Sequence, residues 1–228
     1  MSVSEVTPES TAWDEEAARE WAALDRAKST NTLEYPWKLA ATIAGVDRPV
    51  TRVLDVASGP GGFLGAVLDE SPGSSGIWFD FSQAMKEAAT ENLARFGDRV
   101  EFQLGDMTVL SALGGQGSFD LVTTSRATHH LLIGDLAKFY QAAFDRLKSG
   151  GWIANIDNMP LDQAWGQRLR AVRAKINGPK ERNGAGHAHP NPYPSRDDHL
   201  AALRVAGFET PQLVWSSLLS GLLMARKP

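Results

Sequence analysis

The chain is 228 residues long, enough for one well-buried core and within the range that α/β proteins occupy as a single domain. It contains no cysteine, which excludes a disulfide framework, thiolate metal sites and cysteine nucleophiles. A formal charge of −4 offers no general attraction to phosphate backbones, so a small or neutral substrate is expected and a nucleic-acid partner is not. No basic stretch leads into an apolar run near the first residue, and no run of about 18 apolar residues occurs anywhere. The sequence therefore reads as soluble and cytoplasmic, with no membrane partner.

In chain order, Thr11 and Asp14 form a capping-box-like start, and Trp13, Ala17, Trp21 and Leu24 follow at helical spacing. After a break at Pro36, a second apolar segment runs from Trp37 to Ala44, completing a helical cap over residues 1–50. RVLDVASGPGG then reads as a buried strand entering a glycine-rich turn. Apolar runs at Gly76 to Phe79, Val100 to Leu104, Leu121 to Thr124 and Trp152 to Ile156 read as further strands. Between them, Met85, Ala89, Leu93 and Phe96, then Leu136, Tyr140, Ala143 and Leu147, recur with a period near 3.6. Such alternation predicts an α/β fold, a doubly wound and mostly parallel sheet, because parallel strands need crossovers that bury both faces.

Past Asp157 the pattern predicts a lid insertion over 158–194, made of a helix on Trp165, Leu169, Val172 and Ile176 and a Gly/Pro/His-rich loop. Ser195 and Asp198 mark a second capping box before a helix that ends at Gly207. Phe208 to Trp215 and Leu218 to Lys227 read as a hairpin turning at Ser216 and Ser217, so a closing strand should be antiparallel.

The Gly59-Pro60-Gly61-Gly62 turn suits close approach of a ligand to bare backbone, but dinucleotide binding asks for a third glycine where this chain has Leu64. VLDVASGPGG, with Asp55, Gly59 and Gly61, resembles the first motif of class I (Rossmann-like) S-adenosylmethionine-dependent methyltransferases of the small-molecule type. WFDFSQAM, LGDM, FDLVTTSRATHHL and LKSGGWIANID continue the resemblance in register. It implies a seven-stranded sheet with an antiparallel terminal strand, S-adenosylmethionine as cofactor and S-adenosylhomocysteine as product. It also implies that Asp80 accepts from both ribose hydroxyls, that Asp106 and the Met107 backbone meet the adenine, and that Asp55, Ala57, Gly59, Gly61, Phe81 and Ser125 complete the cofactor site.

Transfer to a hydroxyl or a protonated nitrogen is helped by a base near neutral pKa, which points to histidine. His129 and His130 follow the fourth strand, at the carboxyl edge where open α/β sheets bind ligands. His187, His189 and Tyr193 of the lid are candidates for lining the acceptor pocket, and the basic run Arg168, Arg170, Arg173, Lys175, Lys180 and Arg182 reads as a solvated face or an attraction for an anionic acceptor. Asp157-Asn158 resembles the magnesium-holding pair of catechol-type O-methyltransferases, but Ser125 stands where those enzymes have a further Asp, so no metal is expected. The acceptor read from this is a metabolite methylated on O, N or C, and a homodimer is compatible with the sequence. Two other readings share the turn: a binder of the same fold that does not transfer the methyl, and a nucleotide-dependent oxidoreductase.

Overall fold

The computed structural model describes residue 19 and residues 30–112, 115–160, 163–177 and 194–228. The expected leading helix on Trp13 to Leu24, and His187, His189, Tyr193, Lys180 and Arg182, lie outside the described residues. In chain order the elements are α1 (Thr30–Gly45), β1 (Arg52–Val56), α2 (Gly62–Glu70), β2 (Ser75–Asp80), α3 (Gln83–Asn92), β3 (Val100–Leu104), β4 (Phe119–Ser125), α4 (Ile133–Arg146), β5 (Leu147–Asn158), α5 (Gln163–Asn177), α6 (Arg196–Val205), β6 (Glu209–Ser217) and β7 (Ser220–Arg226). The strands form one seven-stranded sheet in the order β3-β2-β1-β4-β5-β7-β6. β1 to β5 pair parallel, while β7 runs antiparallel to both β5 and β6.

Alternation along the strands divides the core in two. Val53, Trp78, Leu121, Ala154 and Met224 face the apolar sides of α1, α2 and α3, including Trp37, Phe63 and Met85. Their neighbours Leu54, Ile77, Val122, Ile153 and Leu223 face α4 and α6 through Leu136, Phe139, Tyr140 and Leu203. Each fully buried large side chain contributes about 1.5–3 kcal/mol, so the strand runs and the helix stripes seen in the sequence are the two halves of one burial.

Two expectations change. Pro36 does not break the chain but sits inside α1, because losing one backbone donor is offset by burial of Trp37, Ala40, Ala41 and Ala44 on the same helix face. The terminal hairpin turns at Leu218 and Leu219 instead of Ser216 and Ser217, with Ser217 paired to Ser220. An apolar turn carries no sequence signal, yet Leu219 is buried there and its carbonyl accepts from Met159 N, which holds the corner down. The α5 helix forms as its period requires, but Trp165, Val172 and Ile176 along its apolar stripe stay exposed. Periodicity makes a helix, whereas burial needs a partner surface.

Both cap signals are met in α6: Ser195 and Asp198 exchange hydrogen bonds as a capping box, and Gly207 takes the left-handed φ of 94° just beyond the helix.

Candidate active site

The strand order reverses between β1 and β4, and the crevice outside the carboxyl ends of strands at such a point is where open α/β sheets take ligands. A cavity of about 460 Å³ opens there. Ala57 and Arg126, which follow β1 and β4, both line it in the left-handed region, at φ 51° and 55°. Backbone strain of this kind costs about 1–3 kcal/mol per residue and is found where a chain must turn sharply at a site.

Behind the glycine turn stands Asp55, buried at the end of β1. Its carboxylate accepts from Ser58 Oγ, from Leu64 N at 3.2 Å and from Thr123 Oγ1 at 2.7 Å. Burial pushes it up to about 6, against the lowering effect of those three donors. Gly61 caps α2 at φ 83°, and a Cβ there would come within 2.6 Å of Leu93, so only glycine makes the turn. Gly62 is held equally closely by the Trp37 ring, where an added Cβ would lie 2.6 Å from the indole.

On the cavity side, Asp80 ends β2 with Oδ2 accepting from Gly59 N at 2.9 Å and Oδ1 accepting from Ser82 N at 3.0 Å. These bonds orient the carboxylate on the cavity wall. Asp106 caps the short helical turn that follows β3, accepting at Oδ1 from Thr108 N and Oγ1 at 2.7 and 2.8 Å.

Opposite the turn, a 3-10 turn after β4, Thr128–His130, carries the two histidines to the cavity wall. His129 is nearly buried, and its Nδ1 lies 2.5 Å from Asp157 Oδ1. Asp157 Oδ2 accepts from Thr128 Oγ1 at 2.6 Å and from His129 N at 2.9 Å, while Oδ1 also accepts from Asn158 N at 2.7 Å. Burial alone would raise the Asp157 carboxyl, but the His129 imidazole and the Thr128 hydroxyl hold it well below the usual carboxylate range. The His130 ring is tilted against that of His129, with centroids 4.1 Å apart. An ionised carboxylate accepts only, so the Nδ1 of His129 carries the proton, and in the neutral ring Nε2 is then the acceptor.

Of the residues singled out in the sequence, the cavity brings together Ala57, Gly59, Asp80, Phe81, Asp106, Met107, Ser125, His129 and His130. Asp55 and Gly61 do not line it; they shape the turn from behind. Asp157 turns inward to His129 and Thr128 rather than towards the cavity, unlike a carboxylate set out for a metal. The sequence reading missed Asp157 as the partner of His129. Pairing of Ser125 with Ile156 in adjacent parallel strands sets the residues that follow side by side, a juxtaposition that no local sequence signal carries. It also missed Trp37, Phe63 and Leu131, apolar lining drawn from three separate segments.

Residues 53–151 match a family model described as a methyltransferase domain. The matched segment carries the glycine turn, Asp80, Asp106 and both cavity histidines. Methyltransferase ungE′ of Aspergillus campestris (strain IBT 28561) is 35% identical over 91 residues, which cover 39% of this chain and 27% of that protein. A crystal structure of a candidate O-methyltransferase from Nostoc punctiforme PCC 73102 superposes with a TM-score of 0.71 at 20% identity, covering 91% of this chain and 60% of that one. Human N-acetylserotonin methyltransferase, solved in complex with SAM, has a TM-score of 0.58 at 19% identity, covering 91% of this chain and 58% of that one. The two solved structures share the fold of this chain, which spans less than two thirds of each relative's length. No described helix is long and apolar enough to cross a membrane.

Proposed function

We propose that the protein transfers a methyl group from S-adenosylmethionine to a small-molecule acceptor, best fitted as a hydroxyl. One observation carries this reading: the glycine turn, the Asp80 carboxylate and His129, held from behind by Asp157, open on a single cavity at the β1/β4 switch point. The donor set fits the cofactor. Acceptor carboxylates of Asp80 and Asp106 suit ribose hydroxyls and an adenine amino group, while bare backbone at Ala57 and Gly59, with Phe81, Met107 and Ser125, suits the remainder. When bound, the cofactor supplies an electrophilic methyl group on a sulfonium.

The chain's own residues do the rest. The proton of an acceptor hydroxyl passes to His129 Nε2, and Asp157 stabilises the imidazolium that forms, as an oriented buried carboxylate does beside a histidine base. Trp37, Phe63 and Leu131 keep water from competing with the acceptor. His130 supports the His129 ring, and His187, His189 and Tyr193 complete the acceptor side. We read the chain as one domain with residues 1–50 as a cap and 158–194 as a lid.

Calorimetric titration tests the reading: saturable binding of S-adenosylhomocysteine and none of NAD is expected. Binding of NAD in its place would overturn it in favour of an oxidoreductase. Release of S-adenosylhomocysteine across a metabolite library, with mass-spectrometric identification of the product, would then name the acceptor, and binding without turnover on any hydroxyl would favour a non-transferring binder.

A further inference from the structure

Behind the cavity wall lies a run of polar side chains that methyl transfer by itself does not require. Thr128 follows β4, Asn155 and Asp157 belong to β5, Tyr140 to α4 and His199 to α6, and every one is buried. Asn155 Nδ2 is 2.9 Å from Thr128 Oγ1 and 2.7 Å from Tyr140 Oη, and Tyr140 Oη is 2.7 Å from His199 Nδ1. With Thr128 bonded to Asp157, and Asp157 to His129, the chain joins α6 to the cavity through four further side chains.

The donors in this chain are fixed in sequence by elementary valence. Asp157 accepts only, so the single proton of Thr128 Oγ1 points to it, and Thr128 must accept from Asn155. That assigns the Asn155 amide nitrogen to this side, and its second N–H goes to Tyr140 Oη. Tyr140 therefore donates to His199 Nδ1, which places the proton of a neutral His199 on Nε2. Burial lowers His199 to about 4, in keeping with a neutral ring.

The arrangement is costly. Asn155 Oδ1 and His199 Nε2 are buried with no hydrogen-bond partner among the described residues. An unsatisfied buried polar group costs about 1–3 kcal/mol, and an apolar set of the same shape avoids that cost. Stability therefore does not account for the chain, whereas its effect on Asp157 does: the two oxygens of that carboxylate receive four donors, which fill its acceptor sites and leave it one orientation.

We propose that Thr128, Asn155 and Tyr140 are positioning residues, a hydrogen-bonded line anchored on His199 that locks Asp157 so that His129 keeps its ring proton on Nδ1 and Nε2 as the acceptor. The proposal rests on the reading of His129 as the base. Deleting the Thr128 donor leaves Asp157 with more of its charge for the imidazole, so the His129 imidazolium gains stability.

The experiment compares Thr128→Val, Thr128→Ser, Tyr140→Phe and His129→Ala in the full chain. It reads kcat/KM against pH, the affinity for S-adenosylhomocysteine, and the His129 ring nitrogens by 15N NMR. Thr128→Val is expected to lower kcat about tenfold, to move the acidic limb of the profile to higher pH, and to leave cofactor affinity within about twofold. Thr128→Ser should restore both values, and Tyr140→Phe should shift them the same way by less. Asp157, His130 and His199 are the titratable groups around His129, and all remain in these variants. Should Thr128→Val fail to fold, Tyr140→Phe carries the same readouts. A wild-type profile and an unchanged Nδ1–H signal in Thr128→Val and Tyr140→Phe, with His129→Ala inactive, would overturn the positioning role and leave the base intact. Full activity in His129→Ala would remove the base instead, and the NMR signal would then decide the positioning role alone.

Discussion

Asp55 and Asp157 make a natural comparison. Both are buried carboxylates at or near the carboxyl ends of sheet strands, and both accept several hydrogen bonds, yet one is pushed up to about 6 and the other is held far down. Around Asp55 every donor is neutral: two hydroxyls and a backbone N–H, with Asp80 adding repulsion. Around Asp157 one donor is an imidazole able to carry a charge. Burial penalises the two alike, so the partner's charge decides the outcome. One carboxylate holds the glycine turn from behind, and the other is kept ionised beside an imidazole.

The largest test falls on the Asp157 side. His129→Ala is expected to lower kcat by about 10²–10⁴ with affinity for S-adenosylhomocysteine nearly intact, while His130→Ala, which removes a ring tilted against that of His129, should cost about tenfold. Steady-state kinetics with calorimetry checks this, and equal effects of the two variants would dissolve the contrast.

A second test separates the buried groups by pH. Asp55 has a folded pKa raised from 3.8 to about 6, so its contribution is present below pH 4 and is lost as pH rises through 6. His199 is depressed from 6.5 to about 4, so its contribution is present above 6.5 and is lost as pH falls through 4. Each is worth about 3 kcal/mol at most, with opposite sign over one window, and they offset in the wild type. Urea denaturation should show stability falling more steeply from pH 6.5 to 4 in Asp55→Asn, and rising over that interval in His199→Gln. Parallel curves for all three proteins would mean that neither group titrates as its surroundings imply. Asp157 is depressed as well, and its contribution is lost only below about pH 4, outside that window.

On the side of the glycine turn, Asp80→Ala should weaken binding of S-adenosylhomocysteine by at least tenfold, or about 1.4 kcal/mol. Because Asp80 also accepts from Gly59 N and Ser82 N, its melting temperature must be measured alongside. An unchanged dissociation constant would reduce Asp80 to a brace of the turn, like Asp55. The smallest effect is expected from exhaustive chelation. Asp157 spends its oxygens on His129, Thr128 and Asn158, so activity should survive EDTA; loss that magnesium restores would reassign Asp157 to a metal.

Much of the glycine-turn side was legible because its signals are local. Asp55 through Gly61 forms one strand-to-turn step, and Asp80 and Asp106 each end or follow a strand whose apolar run marks it. The histidine side was legible only in part. Its pair was visible as THH after a strand, but the partner of His129 stands 28 residues away, and the His199 that ends the polar line is 59 residues from Tyr140. In the sequence Asp157 reads equally well as a metal ligand, because Asp-Asn at a strand end carries that meaning too.

Local signals along the chain fix the alternation of strands and helices, the parallel sheet with its antiparallel close, the caps at Ser195 and Gly207, and the position of the glycine turn. Apolar period, turn chemistry and capping act within a few residues of one another, so they can be read along the chain. Packing across the fold settles that Pro36 is carried inside a helix, that the hairpin turns on two leucines, and that Trp165, Val172 and Ile176 of α5 stay exposed. It alone decided which buried carboxylate would meet an imidazole and which would meet hydroxyls, because those partners come from neighbouring strands and from helices packed across the sheet. Charge at such short range depends on distance through the fold and not on separation along the chain.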